Sequence, residues 1–274
     1  MSILESLLQN TPRFATRPTP FGRFHLISVG IILALCVLTV IFRRKLPRGE
    51  RALRVSLILF GVGLLLLEIG KQLAYSYDLT AGWQYNWDRF PFQFCSTPIY
   101  AALVGMCLPR GRVRQALLSF LATYSPVAGC AVLFYPAPDV FHEIVFLDVH
   151  TMVWHGAMLW FGLYLWLSEA VLPSPKTALT AAAVYVPMPC IALCLNELEM
   201  ATGFAGAYTF NMFYIARDGR CMIPVLSWFQ QNTPYPVFFA AYLLALGAGG
   251  ALVTAAMGII SYAWKKYKKI PESA

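Results

Sequence analysis

Seven long apolar segments alternate with short polar ones along the chain. They lie at about 25–42, 53–75, 90–108, 113–135, 144–167, 178–195 and 236–264. About 20 residues of helix cross the roughly 30 Å apolar core of a bilayer. A membrane span must satisfy its own backbone hydrogen bonds, and the alternation typical of barrel strands is absent. The pattern predicts an all-α, polytopic membrane helical bundle with seven transmembrane helices, and a count of six to eight also fits.

Composition supports the membrane class and excludes several others. The chain has 274 residues, of which 58% are hydrophobic and only 12% are charged, whereas soluble domains carry about 25% charged residues. So little polar surface cannot cover a soluble globule, which excludes a soluble enzyme and a disordered chain. The seven cysteines lie mostly inside the apolar segments, so they predict neither a disulfide framework nor a zinc site.

Basic residues are spread unevenly over the loops, and this predicts the orientation. Fourteen lysines and arginines fall on one side of the predicted bundle and six on the other, and the more basic loops stay in the cytoplasm. We therefore expect 1–24 to be an N-terminal head outside the cell or in a lumen. Residues 25–264 then form a single seven-helix domain, and 265–274 a basic cytoplasmic tail. Because the basic charge is explained by topology and lipid headgroups, no nucleic-acid partner is expected.

Polar residues inside the apolar segments are the candidates for function, because each is expensive to place in a membrane. In the second segment, Glu68 and Lys71 are three residues apart, so they share a helix face and can form an ion pair. The pair either locks the bundle or forms a polar wall of a functional site.

The third segment opens with a polar stretch around a cysteine, in which Gln93, Ser96 and Thr97 flank Cys95. Pro98 cannot donate to the carbonyl four residues earlier, which predicts a kinked or loosened helix beside the cysteine. A buried cysteine is commonly just a small apolar side chain. The polar neighbours nevertheless make Cys95 a candidate nucleophile.

The fifth segment carries Asp148, Thr151 and His155 on one helix face, since positions seven residues apart return to nearly the same side. His150 lies about 140° from His155 around the helix, so we do not expect both imidazoles in one cavity. Either histidine can serve as a base, and the pattern leaves that choice open. Asp148 is about 10 Å from His155 along the axis and could act on it only through Thr151 or water.

A loop at about 196–234 separates the last two apolar segments and is long for a compact membrane protein. Long loops of this kind are commonly functional. Its many aromatic residues predict an interfacial or re-entrant cap.

The order of these pieces resembles one known family. The matching stretches are FPFQFCSTPIY, FYPAPDVFHEIVFLDVHTMVWHG, GAYTFNMFYIARDG and PVLSWFQQNTPYPVFFAAYL, over roughly residues 50–260. It is the integral membrane family that contains bacterial YwaF-type proteins and a eukaryotic Cys/His acyltransferase of ether-phospholipid synthesis. The resemblance implies catalysis by Cys95 and by His155, which precedes a glycine, and it places Asn211 in the family's Asn–aromatic motif. One departure is Ser96, which stands where the bacterial form usually has an acidic residue.

Residues and resemblance together predict a membrane-embedded lipid acyltransferase. A fatty acyl chain would move from a phospholipid to a lyso(ether)phospholipid through a Cys95 thioester, with His155 as base and Asn211 or Gln93 as oxyanion donors. Membrane phospholipids and lysophospholipids are the expected partners. We expect no cofactor, no metal and no soluble protein partner. The expected location is an endomembrane such as the ER or Golgi in a eukaryote, or the plasma membrane in a bacterium.

Two alternatives stay open. A lipid ester hydrolase would use the same site with water as the acceptor. A non-enzymatic seven-helix transporter or receptor would share the topology. However, the sequence lacks the Asp-Arg-Tyr and Asn-Pro-x-x-Tyr motifs of G-protein-coupled receptors, and it shows no inverted repeat of the transporter kind.

Overall fold

The computed structural model describes residues 2–137 and 140–267, so residues 268–274 of the predicted basic tail lie outside the described part. Helices dominate this part, and one short antiparallel hairpin pairs β1 (Tyr77–Asp78) with β2 (Gly82–Trp83). The helices are α1 (Ile3–Gln9), α2 (Arg23–Ile41), α3 (Glu50–Ser76), α4 (Thr97–Cys107), α5 (Arg112–Phe134), α6 (Val145–Leu167), α7 (Pro175–Tyr185), α8 (Pro187–Thr202), α9 (Pro224–Asn232) and α10 (Tyr235–Tyr267).

Every predicted apolar segment contains a helix, but fewer than seven of these helices are clear membrane spans. Within the described residues, five stretches are long and apolar enough to cross a bilayer: Arg23–Ile41, Glu50–Ser76, Arg112–Phe134, Pro175–Thr202 and Tyr235–Trp264. Helix α4 has only 11 residues, which is about 16 Å of helix. Helix α6 has 23 residues and is not among the five; it carries an aspartate and two histidines. The all-helical class is confirmed, whereas the seven-span count and the orientation stay predictions.

The segment around Cys95 folds differently from the kinked helix that the sequence predicts. Phe94–Ser96 forms a 3₁₀ turn, and α4 begins only at Thr97. Pro98 occupies the first turn of α4, where a missing N–H breaks no helical hydrogen bond. The proline therefore starts a helix rather than bending one, and Cys95 lies on the turn in front of it.

Helices α5 and α6 form the centre of the bundle. Helix α5 packs against α4, α6, α7 and α10, and α6 also packs against α2 and α3. The indole of Trp166 donates to the carbonyl of Ala122 on α5 at 2.7 Å, and that of Trp160 donates to Thr39 Oγ1 on α2 at 2.8 Å. Indole donors from α6 thus fix its rotation between its two neighbours.

Gly129 allows the close approach of α5 to α6. A Cβ at this position would lie 2.6 Å from the carbonyl oxygen of His155 and 3.2 Å from the amide nitrogen of Leu159. Backbone atoms cannot rotate away, so Gly129→Ala should push the helices apart and lower the free energy of unfolding by about 1–3 kcal/mol. Thermal unfolding in detergent measures this. Gly63→Ala is the matched control because its Cβ would meet nothing within 4 Å, and equal losses in both variants would contradict the close approach.

A cluster of charged side chains connects α3 and α5 at the end of the bundle where both helices begin. Glu50, at the start of α3, pairs with Arg110 Nε at 2.7 Å and with Arg54 Nη2 at 3.7 Å, and it also contacts the buried Arg114 at the start of α5. All three arginines are among the fourteen basic residues that the sequence predicts to lie on the cytoplasmic side. The cluster therefore ties α3 to α5 at that end.

The N-terminal head packs onto the other end of the bundle. The amide of Phe14 donates to the carbonyl of Glu143 at 2.8 Å, and the indole of Trp83 in the hairpin donates to Glu5 of α1 at 3.1 Å. Inside the hairpin, hydrogen bonds from Thr80 and Ala81 lower the pKa of Asp78 to about 2. The head therefore contacts both the segment that leads into α6 and the hairpin that follows α3.

Candidate active site

A polar cavity of about 350 Å³ lies among α3, α6, the Cys95 turn and the long loop after α8. Its walls bring together seven of the nine residues that the sequence singled out: Lys71, Gln93, Cys95, His150, Thr151, His155 and Asn211. Asp148 and Glu68 are not among its lining residues. Residues distant in sequence on two helices, a turn and a loop therefore share one small polar space.

The Cys95 turn is attached directly to α6. The indole of Trp154 donates to the carbonyl of Cys95 at 2.9 Å. Cys95 itself is a half-buried free thiol. This hydrogen bond sets the position of the cysteine relative to the two histidines of the same helix.

His155 is held in one tautomer. Its Nδ1 lies 2.7 Å from the backbone carbonyl of Thr151, and because a carbonyl only accepts, Nδ1 must carry the proton. The neutral ring then has its lone pair on Nε2, which is buried and has no hydrogen-bond partner among the described residues. This is the protonation pattern that a general base requires.

His150 also lines the cavity, contrary to the expectation that the two imidazoles diverge. The cavity extends around a broad face of α6 from Leu147 to His155, so two residues about 140° apart on the helix can both reach it. The His150 ring stacks on Trp154 with centroids 5.1 Å apart. Its Nε2 is likewise buried without a hydrogen-bond partner in the described part of the chain, so geometry keeps it as the rival base.

Glu68 and Lys71 form an ion pair beside the cavity. The ammonium of Lys71 lies 2.8 Å from Glu68 Oε1, and both side chains are largely buried. Glu68 Oε1 also accepts from Gln72 Nε2 at 2.7 Å. Glu68 thereby positions Lys71, whose ammonium reaches the cavity wall and lies 6.0 Å from the Trp154 ring centre.

Asp148 points away from the cavity, into the loop that precedes α6. Its Oδ1 accepts the backbone N–H of His142 at 2.6 Å. The carboxylate therefore anchors the loop at the first turn of α6, and this position gives it no direct path to His155.

Carboxamide side chains hold the long loop over the cavity. Gln93 donates to the carbonyl of Asn211 at 2.9 Å and accepts from the amide of Phe213 at 2.8 Å. Asn196 pairs with both backbone groups of Met212, at 2.8 and 3.0 Å. Asn211 donates to the carbonyl of Arg220 at 3.1 Å and accepts from Ala216. The side-chain N–H groups of Gln93 and Asn211, the expected oxyanion donors, are thus engaged in fixing the loop.

The same loop contains strained backbone. Phe213 and Tyr214 have φ values of 58° and 56°, a region that bulky side chains rarely adopt and that costs about 1–3 kcal/mol per residue. Tyr214 lines the cavity. The hydrogen bonds made by the carboxamide side chains on either side stabilise this conformation, in which the loop covers the cavity.

Arg89, Trp154 and Arg220 are among the lining residues that sequence reasoning missed. Arg89 lies just before the quoted cysteine stretch, and Arg220 lies just after the quoted loop stretch. Because the chain has so few charged residues, the position of these two arginines beside the motifs could have identified them. Trp154 gave none, since an indole in an apolar helix is ordinary.

The sequence profile of the TMEM164 family matches residues 20–258. No curated protein matches the chain, and no solved structure matches it. The profile covers all the cavity-lining residues and the described membrane-length helices, apart from the last few residues of α10. The protein is therefore an integral membrane protein that belongs to the TMEM164 family of transmembrane proteins.

Proposed function

We propose that this protein is a lipid acyltransferase in which Cys95 is the nucleophile and His155 is the base. The observation that carries the proposal is their arrangement: both line one polar cavity, and His155 Nε2 is the unprotonated nitrogen with no described partner. The motif order resembling YwaF-type proteins and the ether-lipid acyltransferase supports the same chemistry. The donor is a membrane phospholipid, and the acceptor is a lyso(ether)phospholipid.

In the first half-reaction, His155 Nε2 takes the thiol proton of Cys95, and the sulfur attacks the ester carbonyl of the donor lipid. A C–S bond forms and the ester C–O bond breaks. The departing lysolipid oxygen receives the proton from His155. The product of this step is an acyl thioester on Cys95.

In the second half-reaction, the hydroxyl of the acceptor lysolipid gives its proton to His155 Nε2 and attacks the thioester carbonyl. The new ester C–O bond forms as the C–S bond breaks, and the proton returns to the sulfur of Cys95. Lys71 supplies positive charge at the cavity wall, which stabilises the carbonyl oxygen as it becomes negative.

Water must be excluded during the life of the thioester, because hydrolysis would release the fatty acid. The roof formed by the long loop, held by Gln93, Asn196 and Asn211, serves this purpose. We place the cavity at the outer or lumenal end, where the loops carry few basic residues, so the lipids enter from that leaflet.

The test is an assay of the purified full-length protein with a phospholipid that carries a labelled acyl chain. With a lysophospholipid acceptor present, the label should appear in a new phospholipid, and its appearance should depend on the acceptor concentration. Release of labelled fatty acid at the same rate with or without acceptor would identify a hydrolase instead. No movement of the label under either condition would refute both enzymatic functions and favour a transporter or receptor.

A further inference from the structure

We propose that Arg220 and Arg89 form a subsite for the phosphate group of the lipid in this cavity. The proposal rests on the proposed function and deepens it, because it names the headgroup chemistry that the site selects. Neither arginine has a role in the acyl-transfer steps.

Arg220 presents an unused guanidinium to the cavity. Its backbone carbonyl is fixed by Asn211 Nδ2 at 3.1 Å, whereas its side chain makes no hydrogen bond, ion pair or ring contact with any described residue. Arg220 is exposed and is one of the residues that line the cavity. Because its main chain is held and its side chain is unpaired among the described residues, the residue is available to bind an anion that comes from outside the protein.

Arg89 occupies the cavity wall in a similar way. Its carbonyl accepts from Gln72 Nε2 at 2.6 Å, and its guanidinium carbon lies 4.6 Å from the ring centre of Tyr75. Its Nε is buried and has no hydrogen-bond partner among the described residues. A buried donor of this kind is expensive unless a ligand pairs with it.

The charges of the cavity wall favour an anion. Lys71, Arg89 and Arg220 line it, whereas the lining contains only one carboxylate among the described residues, that of Asp88. Planar guanidinium groups bind phosphate oxygens through paired, charge-assisted hydrogen bonds. A glycerophospholipid carries its phosphate close to the ester that would react at Cys95, so one small cavity can hold both groups.

The test compares 1-acyl-lysophosphatidylcholine with a monoacylglycerol of the same chain, which lacks the phosphate. For the full-length protein in detergent, Arg220→Gln should weaken binding of the labelled lysophosphatidylcholine at least about tenfold, because it removes charge-assisted hydrogen bonds to the phosphate. Binding of the monoacylglycerol should not change. Arg220→Lys, which keeps the charge, should recover part of the affinity.

Arg217→Gln is the matched control, since Arg217 belongs to the same loop but pairs with Glu197 at 2.7 Å and does not line the cavity. If inorganic phosphate displaces the labelled lysophosphatidylcholine from the original protein but not from Arg220→Gln, the subsite recognises phosphate. That result would also show that free phosphate enters the cavity. Equal losses for the two ligands, or equal losses in Arg217→Gln and Arg220→Gln, would overturn the subsite. Lipid binding can be measured whether or not the protein transfers acyl chains. If Arg220→Gln weakens binding but the protein shows no acyl transfer, the phosphate subsite stands and only the proposed function is refuted.

Discussion

Replacing Cys95 by serine should lower the rate of acyl transfer by about 10³-fold or more and leave the protein folded. At neutral pH a serine hydroxyl is a far weaker nucleophile than a thiolate. The two side chains are nearly equal in size, and the contact that positions the turn, from Trp154 Nε1, is made to the backbone carbonyl of residue 95. The measurement is the initial rate of label transfer, with thermal unfolding as the check on folding.

The matched control for this prediction is Cys107→Ser. Cys107 is an exposed free cysteine at the end of α4 and is not among the lining residues of the cavity. Its replacement should leave the rate within about twofold of the original, because substitutions at exposed positions away from special features have small effects. A Cys95→Ser protein that transfers acyl chains as fast as Cys107→Ser would exclude the thioester mechanism.

His155→Ala should lower the transfer rate by about 10²–10⁴-fold, which is the usual contribution of a general base. The reason is the fixed tautomer, in which the Nδ1 proton is donated to the Thr151 carbonyl and Nε2 is left to accept a proton. His150→Ala should have a much smaller effect, because its ring stacks on Trp154 and no contact fixes its tautomer in the described part of the chain. The pair of variants, measured in one transfer assay, identifies the base.

The reverse result would exchange the two roles. If His150→Ala abolishes transfer while His155→Ala retains most of it, His150 is the base. Equal, small losses in both variants would mean that neither imidazole moves the proton. In that case the shared cavity would need another explanation.

The helical class and a helix in each apolar segment could be predicted from the sequence because membrane helices follow directly from apolar segments of sufficient length. Helices α1 and α9 and the break between α7 and α8 were not predicted. The segment around Cys95 could not, since Pro98 is compatible both with a kinked span and with the first turn of a short helix. Only the packing of α4 against α3 and α5 decides between these. The number of spans stays a prediction because α4 is short and α6, which carries an aspartate and two histidines, is not among the five candidate spans in the described part of the chain.

The candidate site was partly predictable. In a chain with 12% charged residues, polar groups inside apolar segments are conspicuous, and Cys95, His155 and Lys71 were found in this way. Asn211 was found through the resemblance of its motif to the family. The sequence could not show that Asp148 anchors a loop or that Gln93 and Asn211 hold the roof, because these depend on contacts between distant segments. It also could not show that both histidines reach one cavity, since a helical wheel gives directions but not the width of the space.

The most direct test of the central claim is to trap the acyl-enzyme. The protein is incubated with a labelled-acyl phospholipid without acceptor, and its peptides are analysed by mass spectrometry. We predict one acyl group on Cys95, bound as a thioester that hydroxylamine cleaves and that disappears when lysophospholipid is added. Active transfer without acylation of Cys95, or with the acyl group on another residue, would contradict the mechanism.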